Sequence, residues 1–212
     1  MGLTSRSAPP RQMPGGPVRL DFPVYFIRHG ETDWNAARRY QGHTDIPLNE
    51  RGRWQAAQNG RSLMRDLSRP ETPAFLASPL GRTRETMEII RTELGLPAEE
   101  YGIDERLIEI NLGDWEGRTP TDIRRDDPAS ARARHADKWG YAAPGGESYA
   151  EAAPRIRRFL GDLDRPSVIV GHGATGRLLR GFLRNLRPAR VPHLTAPQNI
   201  VLKLERGREQ VL

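Results

Sequence analysis

The 212-residue sequence contains no cysteine, only two lysines and no long apolar run. Without cysteine, neither a disulfide nor a thiolate metal site can form, which suits a reducing compartment. No window approaches the roughly 18 consecutive apolar residues that span a bilayer, and residues 1–20 lack the apolar stretch of a secretory signal. We therefore expect a cytoplasmic protein without a membrane partner.

Positive charge is carried almost entirely by arginine. The 33 Lys and Arg residues exceed the 27 Asp and Glu residues, which gives a formal net charge of +6. The arginines are scattered among acids instead of forming a basic arm. The one stripe at helical spacing consists of Arg177, Arg180, Arg184 and Arg187. We interpret this stripe as a solvated helix face, with an acidic partner or nucleic acid as the alternative, so nucleic-acid binding is not expected.

Two short apolar runs each end in a turn that contains a histidine followed by glycine. Residues 24–27 (VYFI) lead into RHG at 28–30, and residues 168–170 (VIV) lead into GHG at 171–173. Continuous apolar runs of this length, rich in β-branched residues, are typical of strands buried on both faces. Both histidines are therefore predicted at the carboxyl ends of core strands.

Helical patterns alternate with further short strands. One helix is predicted from the cap Asn49 to about residue 67, with inward-facing Trp54, Ala57, Leu63 and Leu67. The other predicted helices span 80–94, 149–163 and 174–186, and the other predicted strands span 75–78, 106–110 and 200–204. This alternation predicts a three-layer α/β/α sandwich with a mostly parallel central sheet. Ligands bind at the carboxyl ends of such strands, which places a site at the two histidine turns.

A chain of this length is expected to form one domain. Residues 1–20, rich in Pro, Gly, Ser and Arg, are predicted to be a disordered or loosely attached extension without a role in the core. Residues 21–212 are predicted to be the domain itself. Within it, the polar segment at about 115–147 is predicted to be an excursion that lies over the site.

Arg28 and His29 form a pair that suits an anionic ligand. The guanidinium can bind an anion, and a neutral imidazole nitrogen can attack it. Thr32 can cap a helix that carries Asn35, and a helix N-terminus near the same turn favours anions. The dipeptide alone is weak evidence, because a histidine at a strand end is more often structural.

Six motifs, in the same order along the chain, resemble those of the histidine phosphatase superfamily, also called phosphoglycerate mutase-like. They are RHGETDWN (28–35), QGHTDIPLNERG (41–52), SPLGRTRET (78–86), LIEINLGDWEG (107–117), PGGES (144–148) and VGHG (170–173). Together they extend over nearly all of the chain from residue 24 onward. The resemblance implies the phosphoglycerate mutase-like form of the α/β/α fold and a reaction through a phosphorylated histidine.

The resemblance implies catalytic roles for five residues. His29 matches the family's nucleophile and His172 its second histidine. Arg28 and Arg82 match the arginines that clamp the phosphate, and Glu109 matches the proton donor. A phosphoryl group in transfer spreads its charge over three oxygens, which guanidinium groups and a protonated second histidine would stabilise without a metal.

Two of these positions have an alternative when only the residues are considered. Arg82 could be an ordinary surface arginine. Glu109 competes with other acidic residues nearby, namely Asp104, Glu105 and Glu116.

The resemblance also implies a set of residues that bind the substrate or its phosphate. These are Asn35, Gln41, Gly42 and the glycines of the histidine turns, Gly30 and Gly173. Glycine in such turns lets a ligand approach the backbone. The chain departs from the family at Gly171, where Ser or Thr often precedes the second histidine, so one hydroxyl is missing from the surroundings of His172.

The resemblance implies a phosphomonoester hydrolase that acts through phosphohistidine on a small phosphorylated metabolite, with no metal and no cofactor. The glycolytic mutases of the family carry a longer, basic insertion after the position of Glu116, so the short segment from 117 to 145 favours hydrolysis. The alternatives are a cofactor-dependent phosphoglycerate mutase that uses the same residues and, more remotely, an inactive binding protein or an RNA-associated protein. A homodimer is compatible with the sequence.

Overall fold

The structure, a computed structural model, describes residues 11–212. Its strands are β1 (Val24–Arg28), β2 (Ala74–Ala77), β3 (Gly102–Ile103), β4 (Ser167–Gly171), β5 (Leu202–Glu205) and β6 (Arg208–Val211). Its helices are α1 (Asp33–Ala36), α2 (Glu50–Asp66), α3 (Gly81–Glu93), α4 (Pro120–Asp126), α5 (Pro128–Ala136), α6 (Tyr149–Gly161) and α7 (Gly173–Leu183). Across these residues, no helix is long and apolar enough to cross a membrane.

The sheet is mostly parallel, and β1 and β4 lie side by side within it. The strand order is β3-β2-β4-β1-β5-β6; the first four of these run parallel, and β5 and β6 are antiparallel to their neighbours. Val24 of β1 pairs with Ser167 of β4, and Arg28 pairs with Gly171. Because the two strands are parallel and in this register, both histidine turns leave the same edge of the sheet.

Helices cover both faces of the sheet. On one face, Phe26 of β1 lies in a core cluster with Ile156 of α6 and Leu178 of α7. On the other face, Ile27 lies in a second cluster with residues of α2 and α3, among them Leu63. Adjacent residues of β1 therefore enter different cores, as expected for a strand buried on both sides. This arrangement confirms the predicted three-layer α/β/α sandwich.

The helix caps that the sequence predicts are present. Asn49 Oδ1 accepts a hydrogen bond from Gly52 N at 2.9 Å at the start of α2. Ser148 Oγ accepts from Glu151 N at 3.2 Å, and the Glu151 carboxylate accepts from Ser148 N at 2.8 Å, which completes a capping box for α6. These caps set the first turns of two long helices, one on each face of the sheet.

The inward face of α2 differs from the prediction at Trp54, whose exposed fraction is 59%. Polar Gln55 and Asn59 are buried instead. Gln55 Oε1 accepts from Glu31 N at 2.9 Å, and Asn59 Nδ2 donates to Gln198 O at 3.0 Å. Because both amides are hydrogen-bonded, their burial is tolerated. Leu63 is buried as predicted, so the apolar spacing is wrong at Trp54 and correct at Leu63.

The predicted strand at 106–110 is wrong. Asp104 Oδ1 accepts from Arg106 N at 2.9 Å and begins a 3-10 turn over Glu105–Leu107. The sheet edge is formed slightly earlier in the chain by the two-residue strand β3. At the other edge, the predicted last strand is present as β5, and β6, which was not predicted, pairs with it.

Residues 11–20 belong to the domain, which corrects the predicted boundary at residue 20. Met13 has an exposed fraction of 2% and lies in the same core cluster as Phe182 of α7. Val18 N donates to Phe182 O at 3.3 Å. Val18 and Leu20 also pack against this cluster. Three separated apolar residues give no periodic signal, so composition alone misplaced the boundary. The rest of the predicted extension, residues 1–10, lies outside the described residues.

The excursion at 115–147 is folded and not irregular. It contains α4 and α5 and a small apolar cluster formed by Trp115, Ile123 and Ala143. Trp139 attaches it to the main core, where its ring stacks on Tyr149 with a centroid distance of 6.4 Å. The excursion is therefore a cap that is anchored to the domain.

The arginine stripe on α7 is not a uniformly solvated face. Arg180 is only 5% exposed, and its guanidinium donates to the Glu209 carboxylate of β6 at 2.7 and 2.8 Å. Arg184 donates to the same carboxylate at 3.1 Å. The interpretation as a solvated face is thus wrong for Arg180, because β6 brings in an acid that is distant in sequence.

Candidate active site

The two histidine turns meet at the carboxyl edge of the sheet. His29 N donates to Gly171 O at 2.9 Å, which extends the pairing of β1 and β4 by one residue. The ring centroids of His29 and His172 lie 5.3 Å apart, with the ring planes at 62°. Their exposed fractions are 3% and 0%. The structure thus brings the two predicted histidines together in a buried location.

His29 is held as a neutral imidazole with one free nitrogen. Its Nδ1 lies 2.8 Å from Gly30 O, and since a carbonyl oxygen only accepts, Nδ1 carries the proton. Burial lowers the pKa of His29 well below its usual value, and the charges of Arg28 and Arg82 lower it further. Nε2 therefore keeps the lone pair that a nucleophile requires.

His172 is oriented by a serine that the sequence analysis did not identify. Its Nε2 lies 2.7 Å from Ser78 Oγ, so a hydroxyl reaches this histidine from the end of β2 and not from residue 171. Burial lowers the pKa of His172 well below its usual value, and the nearby Arg82 and His29 act in the same direction. The protein alone therefore favours a neutral ring, contrary to the expected protonated form.

Arg28 is a charged residue that lines this site. Its Nη1 donates to Ala196 O at 2.8 Å, a backbone group that no side-chain motif could have indicated. Burial lowers the pKa of Arg28 to about 10, with further lowering by Arg177 and Arg82 and an opposite effect of Glu109. The guanidinium consequently remains charged at neutral pH.

Arg82 is fully buried at the start of α3, which rules out the surface alternative. Its Nη2 donates to Gly42 O at 2.6 Å, and its Nη1 donates to Thr44 O at 2.9 Å. Asp45 accepts from the guanidinium at 3.4 Å and from Gly81 N at 2.6 Å. The loop around residue 42 and the first turn of α3 thus position this guanidinium together.

The Glu109 carboxylate lies against the N-terminus of α7 and is only 7% exposed. Its oxygens accept from Ala174 N at 3.0 Å, from Thr175 N at 3.2 Å and from Ile110 N at 3.0 Å. Three backbone donors therefore hold the carboxylate in one orientation beside the histidines.

The competing acids lie elsewhere, and none of them lines the pocket within residues 11–212. Asp104 caps the 3-10 turn, and Glu105 is exposed. Glu116 accepts from the backbone N–H groups of residues 43 and 44 at 2.7 and 2.8 Å, so it braces a loop. Glu109 is the acid that the fold brings to the two histidines.

Asn35 and Gln41 form one polar network beside His29. Gln41 Oε1 accepts from Thr32 Oγ1 at 2.9 Å and from Asn35 Nδ2 at 3.2 Å. Gln198 joins the network, since its Nε2 donates to Asn35 Oδ1 at 2.7 Å and to His29 O at 3.1 Å. Gln198 lies in a loop without a motif and was therefore not predicted.

Gly30 and Gly42 are required for packing. A Cβ on Gly30 would lie 2.2 Å from Gly52 O of α2, and a Cβ on Gly42 would lie 2.2 Å from Glu116 Oε1. At Gly30 the missing side chain makes room for a helix, and contact of its backbone with a ligand stays a prediction.

A pocket of about 170 Å³ opens beside the histidines. Of the predicted site residues, those that line it are Arg28, His29, Asn35, Gln41, Glu109 and Gly173. Gly173 faces this space, since a Cβ there would lie 3.5 Å from Glu109 Oε2. Arg82 and His172 have no exposed surface. In the described chain, no three His, Asp or Glu side chains are grouped as metal ligands would be.

Within residues 11–212, four buried side-chain nitrogens lack a hydrogen-bond partner, and all four belong to predicted site residues. They are Nε of Arg28, Nε of Arg82, Nε2 of Gln41 and Nδ1 of His172. The first three are obligate donors, and each costs about 1–3 kcal/mol when left unpaired. Arg28 and Gln41 line the pocket, and Arg82 and His172 are buried. Unpaired donors in and behind the wall of a small pocket suit the oxygens of a bound anion.

The family model of the histidine phosphatase superfamily (branch 1) matches residues 24–211. A curated relative, the probable phosphoglycerate mutase GpmB of Erwinia tasmaniensis, is 38% identical over 193 residues, which cover 82% of this chain and 86% of the relative.

Two solved structures resemble the chain over most of its length. A mycobacterial glucosyl-3-phosphoglycerate phosphatase in complex with VO3 has a TM-score of 0.76 and 30% identity, with 90% of this chain and 97% of that chain covered. The alpha-ribazole phosphatase from Shigella flexneri has a TM-score of 0.74 and 27% identity, with 90% and 95% covered. Because a family model and these relatives align with almost the whole described chain, the protein belongs to the histidine phosphatase superfamily.

Proposed function

We propose that this protein is a phosphomonoester hydrolase that works through a phosphohistidine formed on His29. The observation that carries the proposal is the cluster of unpaired N–H donors around a neutral His29. The guanidinium groups of Arg28 and Arg82 are suited to the equatorial oxygens of a phosphoryl group. Backbone carbonyls already hold Nη1 of Arg28 and both terminal nitrogens of Arg82, so little reorganisation is needed when charge develops.

In the first half-reaction, His29 Nε2 forms a bond to phosphorus as the bond between phosphorus and the leaving oxygen breaks. Glu109, as the carboxylic acid, transfers its proton to the departing oxygen. In the second half-reaction, the Glu109 carboxylate takes a proton from water, whose oxygen attacks phosphorus and releases Nε2 with inorganic phosphate. One carboxyl group serves both steps.

A neutral His172 is sufficient for this mechanism. When Ser78 Oγ–H donates to Nε2, the proton of the imidazole resides on Nδ1. Nδ1 is the buried nitrogen without a partner, and it can then donate to a phosphate oxygen. The negative charge of the phosphate also raises the pKa of His172, against the effect of burial.

A cofactor-dependent phosphoglycerate mutase is the second candidate, because the relative that is 38% identical carries the name of a mutase. It would return the phosphoryl group from His29 to a second oxygen of a phosphoglycerate. We favour hydrolysis for two reasons. Both solved relatives are named as phosphatases, and the excursion between Gly117 and Gly145 is short.

The distinguishing experiment is phosphate release from a panel of phosphomonoesters, with and without 2,3-bisphosphoglycerate. His29→Ala is assayed in parallel, and its melting temperature is compared with that of the wild type. Cofactor-free release that disappears in a folded His29→Ala variant supports the proposal. Isomerisation that requires 2,3-bisphosphoglycerate, with little free phosphate, would establish the mutase instead. Substantial activity in His29→Ala would show that the nucleophile is misassigned.

A further inference from the structure

A second and larger cavity adjoins the phosphate pocket beneath the excursion. We call it the excursion cavity; Tyr40, Trp115, Ile123, Arg134 and Lys138 are among its lining residues. Its volume is about 760 Å³, against about 170 Å³ for the phosphate pocket. Tyr40 and Arg134 line both, so the two spaces lie side by side and share these side chains. A bound phosphoryl group therefore leaves this space for the organic part of its ester.

The junction between the two spaces is built around a fixed guanidinium. The rings of Tyr40 and Trp115 stack with centroids 5.6 Å apart. The Arg134 guanidinium carbon lies 5.3 Å from the Tyr40 centroid and 5.7 Å from the Trp115 centroid. Stacking on two aromatic faces holds the charge in place without consuming its hydrogen-bonding capacity.

Three cations around this junction have no carboxylate partner in the described chain. Lys138 Nζ donates to Pro192 O at 2.8 Å, Arg177 Nε donates to Leu194 O at 2.6 Å, and Arg134 contacts the Tyr40 hydroxyl at 3.4 Å. Among the described residues, none that lines the excursion cavity is acidic, and Glu109 is the one acid that lines the phosphate pocket. Other arginines of the domain, such as Arg180, form ion pairs.

Burial and neighbouring positive charges both affect Lys138. Burial lowers the pKa of Lys138 to about 8, and the neighbouring Arg134 and Arg177 contribute to the lowering. A negatively charged group among these three side chains would reverse the effect of the two arginines. The cluster is therefore complementary to an anion in addition to the phosphate at His29.

We infer that the organic part of the substrate occupies the excursion cavity and carries a second negative group, a carboxylate or a further phosphate, which Arg134, Arg177 and Lys138 bind. This inference rests on the proposed function, because it places the scissile phosphate beside His29.

The test compares kcat/KM within two matched pairs of phosphate esters. Glucose 6-phosphate and 6-phosphogluconate differ by a carboxylate at the far end, and fructose 6-phosphate and fructose 1,6-bisphosphate differ by a second phosphate. Release of the C6 phosphate is followed in each case. 4-Nitrophenyl phosphate reports the hydrolytic activity itself.

The wild type is expected to prefer the charged member of at least one pair by roughly 10- to 100-fold, the usual value of hydrogen bonds to a charged group. The pair that shows the preference identifies the anion. Arg134→Gln and Lys138→Met should each lower the ratio toward one. The ratio is independent of the fraction of folded enzyme, so partial unfolding cannot imitate the result. Arg158→Gln removes the same charge from an exposed position of α6 and should preserve the ratio.

Hydrolysis of 4-nitrophenyl phosphate without a preference in either pair would overturn the inference and leave the proposed function standing. A preference that survives in both Arg134→Gln and Lys138→Met would also overturn it. Absence of phosphate release from every ester, 4-nitrophenyl phosphate included, would overturn the proposed function and the inference with it.

Discussion

Replacement of Glu109 by glutamine should slow the enzyme in a way that depends on the leaving group. Glutamine keeps the size of the side chain and removes the transferable proton. It also places an NH₂ group near backbone donors, since the Glu109 carboxylate accepts from Ala174 N, Thr175 N and Ile110 N at 3.0–3.2 Å. One amide oxygen can satisfy only part of that set.

The expected loss of kcat/KM comes mainly from the removal of general acid-base catalysis. Proton transfer by a positioned side chain usually contributes roughly 10²- to 10⁴-fold, which corresponds to about 2.7–5.4 kcal/mol of transition-state stabilisation. An alkoxide needs this proton when it departs, whereas a 4-nitrophenolate is stable without it. We therefore expect Glu109→Gln to lower kcat/KM for alkyl phosphates by a factor near the upper end of this range. For 4-nitrophenyl phosphate, the effect on the phosphorylation step should be much smaller.

The assay is kcat/KM for both substrate types in the wild type, in Glu109→Gln and in Glu116→Gln. Glu116 is a matched control, because it is a glutamate of the same motif that binds loop N–H groups at 2.7 and 2.8 Å and does not line the pocket. Its replacement should affect both substrates equally. Equal losses for the two substrates in Glu109→Gln as well would refute the role of Glu109 as proton donor.

Three further predictions concern the metal, the second histidine and acid stability. Incubation with EDTA should leave the steady-state rate unchanged, and inhibition that Mg²⁺ or Zn²⁺ reverses would contradict metal-independent transfer. Ser78→Ala removes the partner of His172 Nε2 and should lower kcat/KM roughly 3- to 10-fold, whereas Ala in place of the exposed Ser68 should have no effect. Folding lowers the pKa values of His29 and His172, so the unfolded chain binds more protons below about pH 6.5. The free energy of unfolding in urea should therefore fall as pH decreases below that value, by up to about 2.7 kcal/mol per pH unit from this pair, and with a shallower slope in His29→Ala.

The sequence predicted those site residues that lie at strand ends and in motifs. His29 and His172 each follow an apolar run, and the parallel pairing of those runs is enough to bring the two rings together. Asn49 and Ser148 have the side chains that cap helices, so the helix starts were predictable. Such signals are local, and local signals can be recognised in a single chain.

Contributions from distant segments could not be predicted in this way. Ser78 and His172 are 94 positions apart, and Gln198 lies 163 positions from Asn35, so neither contact has a local pattern. The carbonyl group of residue 196 that binds Arg28 has no side-chain signature at all. Each of these groups reaches the site through the topology of the sheet and of the loops that follow it.

The arginines show most clearly what the sequence alone could not predict, because identical residues fulfil three different functions. Arg180 is buried and neutralised by Glu209, so it belongs to the structure of the domain. Arg82 is buried, donates to the Gly42 and Thr44 carbonyls and forms a longer ion pair of 3.4 Å with Asp45, while its Nε is left without a partner and can donate to a ligand. Within residues 11–212, Arg134 has no carboxylate or carbonyl partner; it stacks on aromatic rings and lines a cavity. An arginine without a carboxylate partner, held rigidly beside a cavity, is the one that indicates an anion, and only the fold distinguishes it from the others.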